Sequence, residues 1–300
     1  MNVTLTGATG LIGSAIVRAL QARGDNVTVL SRDPDRARAA LGGVEAHAWR
    51  PLDVPAPAAA LSGRDAVVHL AGESVAQRWT DDARRAIHDS REIGTRNLVA
   101  GLAGADPRPR VLVSASGVNY YGPRGDEPLT EDAPAGDDFL ARVCVAWERE
   151  AAAARELGLR VAMLRTAVVL DKQGGALSKM LPFFRLGIGG PVAGGHQYLP
   201  WIHADDVVGL YLAALDEASW DGPINACAPE PATNHDFSRA LGRALHRPAF
   251  APVPGFAVRL LYGEMAEIVT AGQRAVPMRA LEHGYEFRHT DLEQALRDVV

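Results

Sequence analysis

A glycine-rich turn near the first residue most constrains what this chain can fold into. The turn, residues 6–13 (TGATGLIG), follows an apolar run at residues 3–5 and precedes residues 14–20, whose apolar side chains recur at helical spacing. Phosphate-binding βα units have this order of strand, turn with glycines three residues apart, and amphipathic helix. We therefore predict that residues 3–5 form a buried parallel strand and that the turn binds a dinucleotide.

In this prediction each of the three glycines in the turn has a separate structural role. Gly7 permits the tight turn, Gly10 lets a phosphate approach the backbone, and Gly13 lets the helix lie close to the sheet. The unpaired N–H groups and partial positive charge of the helix N-terminus then attract a pyrophosphate. The predicted phosphate-binding residues are Gly7, Thr9, Gly10, Leu11, Ile12 and Gly13.

The end of the second strand indicates which dinucleotide is bound. Residues 26–30 form this strand, and Ser31 and Arg32 stand where an acidic residue would bind the adenosine ribose 2′-hydroxyl. A hydroxyl and a guanidinium suit a 2′-phosphate, so the sequence predicts NADP(H) rather than NAD. In the alternative interpretation, Arg32 is a solvated residue paired with Asp33 or Asp35.

The remaining pattern predicts an α/β fold with a doubly wound parallel sheet. Strands at 44–49, 65–70, 110–114 and 160–166 alternate with helical stretches at 80–104 and 138–157. We predict a Rossmann domain over residues 1–170, with a returning contribution from about 200–228. Residues 171–300 are predicted to form a smaller α/β substrate lobe, in which the glycine pair 174–175 and the glycine-rich segment 186–195 are irregular.

Composition excludes several classes of partner. The net charge is −5 and no basic stretch is present, so we expect no nucleic acid partner. No apolar run approaches the roughly 18 residues of a membrane span, and no signal peptide precedes the first strand. Cys144 and Cys227 fit core thiols of a cytoplasmic protein, and no metal site is predicted.

Candidate site residues follow the fourth and fifth strands, at the sheet edge where open parallel sheets bind ligands. After the fourth strand, Leu70, Ala71, Gly72 and Glu73 are predicted to approach the cofactor, whereas His69 fits a core histidine. After the fifth strand, Ser116, Tyr120 and Tyr121 are the candidates for chemistry.

Motifs along nearly the whole chain resemble one family. Besides the turn, they are HLAG at 69–72, SAS at 114–116, YYG at 120–122, GGAL at 174–177, WIH at 201–203 with Asp205 and Asp206, GEM at 263–265 and GQR at 272–274. Together they resemble the atypical, epimerase-family (SDR39U1-like) branch of the extended short-chain dehydrogenases/reductases. The resemblance implies a Rossmann fold, a C-terminal substrate lobe with a characteristic segment from about residue 250, bound NADP(H) and a homodimer. It also places Arg91, Ser114 and Arg165 among the expected cofactor contacts.

The catalytic residues of that family are only partly present. Its members usually transfer protons through a tyrosine with a lysine four residues later, which lowers the pKa of the phenol. No tyrosine here has that lysine; in the expected helix, Phe139 and Val143 stand at this spacing. Tyr120 and Tyr121 are therefore the predicted proton-transfer candidates and Ser116 the group that polarises the substrate oxygen, with aromatic packing as the tyrosines' alternative. Arg91 either supplies the missing charge or pairs with Glu73 or Glu92.

Two functions follow as hypotheses. The first is an NADP(H)-dependent oxidoreductase, or a nucleotide-sugar-epimerase-like enzyme, that acts on a small carbonyl or alcohol. The alternative, favoured by the missing tyrosine–lysine pair, is a catalytically weak NADP(H)-binding regulator or sensor.

Overall fold

A sheet of seven parallel strands forms the centre of the molecule. The computed structural model describes residues 1–172 and 174–300, without the side chains of residues 261 and 262. In chain order the described strands are β1 (Asn2–Thr6), β2 (Asn26–Ser31), β3 (Glu45–Ala48), β4 (Ala66–His69), β5 (Val111–Gly117), β6 (Pro128–Leu129), β7 (Arg160–Thr166), β8 (Val168–Leu170), β9 (Trp201–His203), β10 (Gly222–Ala226) and β11 (Arg274–Ala275). The main sheet has the order β10-β7-β5-β4-β1-β2-β3. The order reverses between β1 and β4, which opens a crevice at their carboxyl ends, so the predicted doubly wound fold is confirmed.

Helices cover both faces of this sheet. The described helices are α1 (Leu11–Ala22), α2 (Pro34–Ala40), α3 (Asp81–Ala103), α4 (Phe139–Ala152), α5 (Gly175–Arg185), α6 (Ala204–Asp216), α7 (Asn234–Ala244), α8 (Gly255–Tyr262), α9 (Glu267–Thr270), α10 (Met278–Glu282) and α11 (Leu292–Val299). Apolar side chains of α1, α2 and α6 pack on one face, and those of α3 and α4 on the other. None of the helices described here is both long and apolar enough to cross a membrane.

A smaller group of elements forms a second apolar core. Helices α5, α7 and α11 pack with β8 and β9 around Leu170, Leu177, Phe237 and Leu296. The expectation of irregular structure at the glycine pair 174–175 is wrong for Gly175, which begins α5, and the helix over 176–185 was not predicted from the sequence. Leu177, Leu181 and Phe184 share one buried face of α5 at helical spacing, and this packing outweighs Pro182 within the helix.

Candidate cofactor and active site

The three glycines of the turn bring β1, α1 and β4 into contact. Gly7 has φ +67°, and a Cβ atom there would lie 2.7 Å from the carbonyl carbon of Leu70. A Cβ at Gly13 would lie 2.4 Å from the carbonyl oxygen of Gly7. Gly10 is the N-cap of α1 in an extended conformation and, as a glycine, has no side chain to accept the first-turn N–H groups. The first-turn N–H groups of α1, next to the exposed Thr9, are therefore available to an anion.

A second helix begins beside the same turn. Helix α5 starts after Gly174, again without a side-chain cap. A Cβ at Gly174 would lie 3.5 Å from the Cδ1 atom of Leu11, and one at Gly175, which has φ +73°, would lie 3.4 Å from Cδ2. The N-termini of α1 and α5 thus meet at Leu11. Sequence reasoning missed this contribution, although the Gly-Gly pair before an amphipathic stretch was a usable signal.

A buried hydrogen-bond chain fixes the turn after β4. Thr6 Oγ1 accepts the amides of Leu70 and Ala71 at 3.1 and 3.2 Å, so its own proton goes to His69 Nδ1 at 2.7 Å. His69 Nε2 then donates to Thr95 Oγ1 at 3.0 Å. Burial, with a contribution from the Arg91 charge, lowers the pKa of His69 to about 3. His69 is therefore a neutral core histidine that positions the backbone at Leu70 and Ala71.

Arg91 fastens the following segment to α3. Its Nη1 donates to the carbonyl oxygens of Glu73 and Ile87, each at 3.0 Å, and its guanidinium lies 4.9 Å from the Trp147 ring centroid. A Cβ at Gly72 would lie 3.1 Å from Arg91 Cζ, so only glycine fits there without displacing the guanidinium. Arg91 holds the backbone, not the carboxylate, of Glu73.

Glu92 has other partners than Arg91. It pairs with Arg96 at 3.0 Å and with Arg149 at 2.7 Å. Arg91 therefore forms neither of the ion pairs that the sequence suggested, with Glu73 or with Glu92. Its side chain folds back over α3 and contacts backbone carbonyl oxygens instead.

The end of β2 leaves one guanidinium without a carboxylate partner. Ser31 Oγ hydrogen-bonds the backbone oxygen and nitrogen of Asp33 at 3.0 and 3.1 Å. The Asp33 carboxylate caps α2, and Asp35 pairs with Arg38. Within residues 1–172 and 174–300, no ion pair involves Arg32, which is exposed. These contacts favour the phosphate interpretation of Arg32 over the surface pairing.

A buried ionic network lies behind the end of β5. Arg165 donates to Glu148 in a bidentate pair, with both N–O distances 2.8 Å, and Ser116 Oγ donates to the same carboxylate at 2.7 Å. Arg165 and Glu148 are 3% and 8% exposed. Burial alone would lower the pKa of Arg165, but the Glu148 contacts raise it above its usual value, so this guanidinium is charged. Sequence reasoning missed Glu148, which no motif marks.

The two adjacent tyrosines have different environments. Tyr121 is fully buried; its hydroxyl donates to Asn225 Oδ1 at 2.6 Å and accepts from Arg165 at 2.9 Å. Burial raises the pKa of Tyr121 above its usual value. Tyr120 is half-buried, and the Arg165 guanidinium lies 3.4 Å from its ring centroid. The geometry favours the packing alternative for Tyr121 and leaves the Tyr120 hydroxyl as the accessible one.

Apolar side chains at the start of α4 pack against the α3 region and the C-terminal part of the chain. Leu140 and Val143 pack with Trp79 and Ile87, and Met265 and Ile268 of the C-terminal part lie against them. Cys144 Sγ lies 3.7 Å from the position of a Cβ at Gly117, and burial raises the pKa of this thiol to about 12. Ser114, in the middle of β5, is fully buried and donates to the carbonyl oxygen of Ala115.

His203 lies at the start of α6 and stacks on a residue of the C-terminal segment. Its Nδ1 accepts the amide of Asp205 at 3.1 Å and so caps α6, while its ring stacks on His289 with centroids 3.6 Å apart. Ligand atoms of His203, Asp205 and His289 lie within 4.8 Å of one another. Two stacked imidazole rings direct their nitrogen lone pairs side by side instead of towards one point. Nδ1 of His203 is also occupied by the hydrogen bond that caps α6. The arrangement therefore fits a packing contact between segments better than metal coordination.

Comparisons with known proteins agree with this geometry. The family model "NAD dependent epimerase/dehydratase family" matches residues 3–227, and "Domain of unknown function (DUF1731)" matches residues 253–299. The human epimerase family protein SDR39U1 is 38% identical over 307 residues, covering all of both chains. The chloroplastic SDR39U1 homologue of Arabidopsis thaliana is 39% identical over 310 residues, covering all of this chain and 87% of the relative.

Solved structures show the same relationship. The crystal structure of human SDR39U1 (isoform 2) with NADPH superposes with a TM-score of 0.89 at 36% identity, over 100% of this chain and 99% of that one. A nucleoside-diphosphate sugar epimerase from Corynebacterium glutamicum gives 0.79 at 36% identity, over 100% of this chain and 58% of that one. The chain is therefore a member of the NAD-dependent epimerase/dehydratase family, in its SDR39U1-like group with a C-terminal DUF1731 domain.

Proposed function

We propose that this protein is an NADP(H)-dependent oxidoreductase that acts on a small carbonyl or alcohol. The observation that carries the proposal is the meeting of two uncapped helix N-termini, those of α1 and α5, at the glycine turn. Their N–H groups suit the pyrophosphate, and the free Arg32 suits the 2′-phosphate. When bound, the cofactor supplies or accepts the hydride. In an epimerase variant, the same hydride leaves and returns through a keto form of the substrate.

Relatives and the fold support this choice of cofactor. Human SDR39U1 was crystallised with NADPH, and the present chain retains the folded glycine turn over which that protein superposes. In our proposal, residues 7 and 9–13 hold the pyrophosphate, Ser31 and Arg32 the 2′-phosphate, and residues 70–73 the rest of the dinucleotide. Arg91 and Arg165 support these segments from behind. Ser114 was expected among these contacts, but its side chain is fully buried and donates to the carbonyl oxygen of Ala115. A homodimer remains a prediction from the family resemblance.

Replacing Arg32 with alanine tests the cofactor proposal. We expect calorimetric NADPH affinity to fall by about tenfold or more, because one charge-assisted phosphate contact is worth roughly 1.5–3 kcal/mol. NADH affinity should remain within about twofold of the wild-type value, since NADH lacks the 2′-phosphate. Arg38→Ala is the matched control, because Arg38 is already paired with Asp35. An equal loss of affinity for NADPH and NADH, or no loss of affinity for either, contradicts the assignment of Arg32 to the 2′-phosphate.

The proton-transfer step is proposed for Tyr120 with Ser116. Tyr120 is the half-buried one of the two tyrosines at this strand end, and the Arg165 guanidinium lies over its ring. Ser116 Oγ donates its proton to Glu148, so its remaining lone pairs accept a hydrogen bond from a substrate hydroxyl. The serine therefore orients the alcohol form of the substrate beside the phenol.

Tyr120→Phe and Tyr121→Phe separate chemistry from packing. With a substrate found by NADPH oxidation across aldehydes, ketones and quinones, we expect Tyr120→Phe to lower kcat by about 10²-fold or more at unchanged NADPH affinity. Tyr121→Phe should lower the thermal midpoint, because Asn225 and Arg165 lose a buried partner, while kcat stays within about threefold. The opposite ranking of the two kcat values would reject our choice.

A second candidate function is an NADP(H)-responsive regulator. It is favoured by the composition of α4, where Val143 lies in an apolar cluster with Ile87, Cys144 lies beside Gly117 of β5, and no lysine assists a tyrosine. Tight NADPH binding without oxidation by any compound of the panel would support this candidate over the enzyme.

A further inference from the structure

A groove on the C-terminal part of the molecule is lined mainly by basic side chains. We call it the basic groove: Arg239 and Arg243 of α7, Arg247 just after it and Arg297 of α11 line its wall. Its volume is about 810 Å³. Small-molecule sites typically have volumes of about 300–1,000 Å³. It shares no lining residue with the glycine turn, so it is separate from the proposed dinucleotide site.

The positive charge of the basic groove is mostly uncompensated. Glu293 is its one lining carboxylate, and it already pairs with both Arg243 and Arg297. In the part of the chain that the structure describes, Arg239 and Arg247 take part in no ion pair. Four guanidiniums thus face one carboxylate, in a chain whose net charge is −5. Such a local field attracts anions against the overall charge of the protein.

The chemistry of the wall favours phosphate as the anion. Guanidiniums bind phosphate oxygens in a bidentate manner, and several of them suit adjacent phosphates. Phe250, also at the groove, is 81% exposed and offers its ring face to a planar group. His246 also lines the groove and adds a ring N–H donor for a phosphate oxygen.

The geometry points to the basic groove as a binding site for a small molecule with two or more linked phosphate groups, of which a nucleoside di- or triphosphate is the best fit. The groove has the volume of one such molecule, and Glu293 interrupts the positive surface at α11. A nucleic acid would need a longer basic track than this net-negative chain provides.

Calorimetric titration with tripolyphosphate tests this site directly. The protein is first saturated with NADPH, so that the glycine turn is filled. We expect saturable binding that weakens with added salt and falls by about tenfold or more in Arg239→Ala/Arg247→Ala. The double variant Arg85→Ala/Arg110→Ala removes the same charge from arginines that are 72% and 85% exposed elsewhere, and should bind as the wild type does.

Titrations with ATP and with tripolyphosphate distinguish a nucleotide ligand from a simple phosphate chain. Tighter binding of ATP than of tripolyphosphate, lost in Phe250→Ala, assigns a nucleotide; equal binding assigns the phosphate chain alone. Three results would overturn the proposal. They are no binding of tripolyphosphate or ATP, equal binding of tripolyphosphate by the wild type and by Arg239→Ala/Arg247→Ala, and binding of a single-stranded oligonucleotide alone. If NADPH itself fails to bind, the titration is run on the free protein with Arg32→Ala as a further control, so the two proposals fail independently.

Discussion

Replacing Gly13 with alanine is expected to abolish measurable NADPH binding and to lower the free energy of unfolding by about 1–3 kcal/mol. The added Cβ would lie 2.4 Å from the carbonyl oxygen of Gly7 and 2.8 Å from the Cα of Ala8. Both are backbone atoms of the turn, so no side-chain rotation relieves the overlap. Helix α1 must move away from β1, and the first-turn N–H groups then no longer converge on the phosphate position.

A matched glycine elsewhere controls for the change of residue type. Gly94 lies within α3, and a Cβ there would make an ordinary 3.5 Å contact with Pro51. Gly94→Ala should leave NADPH binding intact and change stability slightly in the favourable direction, since alanine favours a helix by up to about 1 kcal/mol. Calorimetry and urea unfolding of both variants make the comparison. NADPH affinity within about threefold of wild type in Gly13→Ala would contradict the role of the turn.

The sequence predicted the glycine turn well because its requirements are local. A positive φ at Gly7 and a close helix–strand approach at Gly13 depend on residues only a few positions apart. The alternation of strands and helices then limited the topology to a parallel sheet. Helix α5 was not predicted, although Leu177, Leu181 and Phe184 recur at helical spacing, because its N-terminal glycine pair was interpreted as irregular structure.

The catalytic region was less predictable because tertiary contacts decide it. Tyr120 and Tyr121 are adjacent in a 3₁₀ turn, yet one ring lies half-buried under the Arg165 guanidinium and the other lies in the core. Nothing in their local sequence distinguishes them. Glu148 becomes significant only because α4 places it opposite Arg165 of β7, 17 positions away. The identity of such a partner follows from packing, which no motif encodes.

Breaking the buried Glu148–Arg165 pair is the second change with a large expected effect. Either single variant, Glu148→Gln or Arg165→Met, should lower the free energy of unfolding by about 3–5 kcal/mol, because a buried charge loses its partner. The double variant should lose less than the sum of the two, since it leaves neither charge. The exposed pair Arg96–Glu150, at 2.9 Å, is the control, and its loss should change stability by about 1 kcal/mol or less.

The pH dependence of the two single variants separates a buried charge from lost packing. A carboxyl group that is buried without a cationic partner is disfavoured in its charged form. The Arg165→Met penalty is therefore expected to be clearly smaller at pH 4 than at pH 8. The guanidinium left by Glu148→Gln stays charged throughout, so its penalty is expected to differ less between these two pH values. Urea unfolding at several pH values measures both; parallel profiles would assign the loss to packing instead of charge.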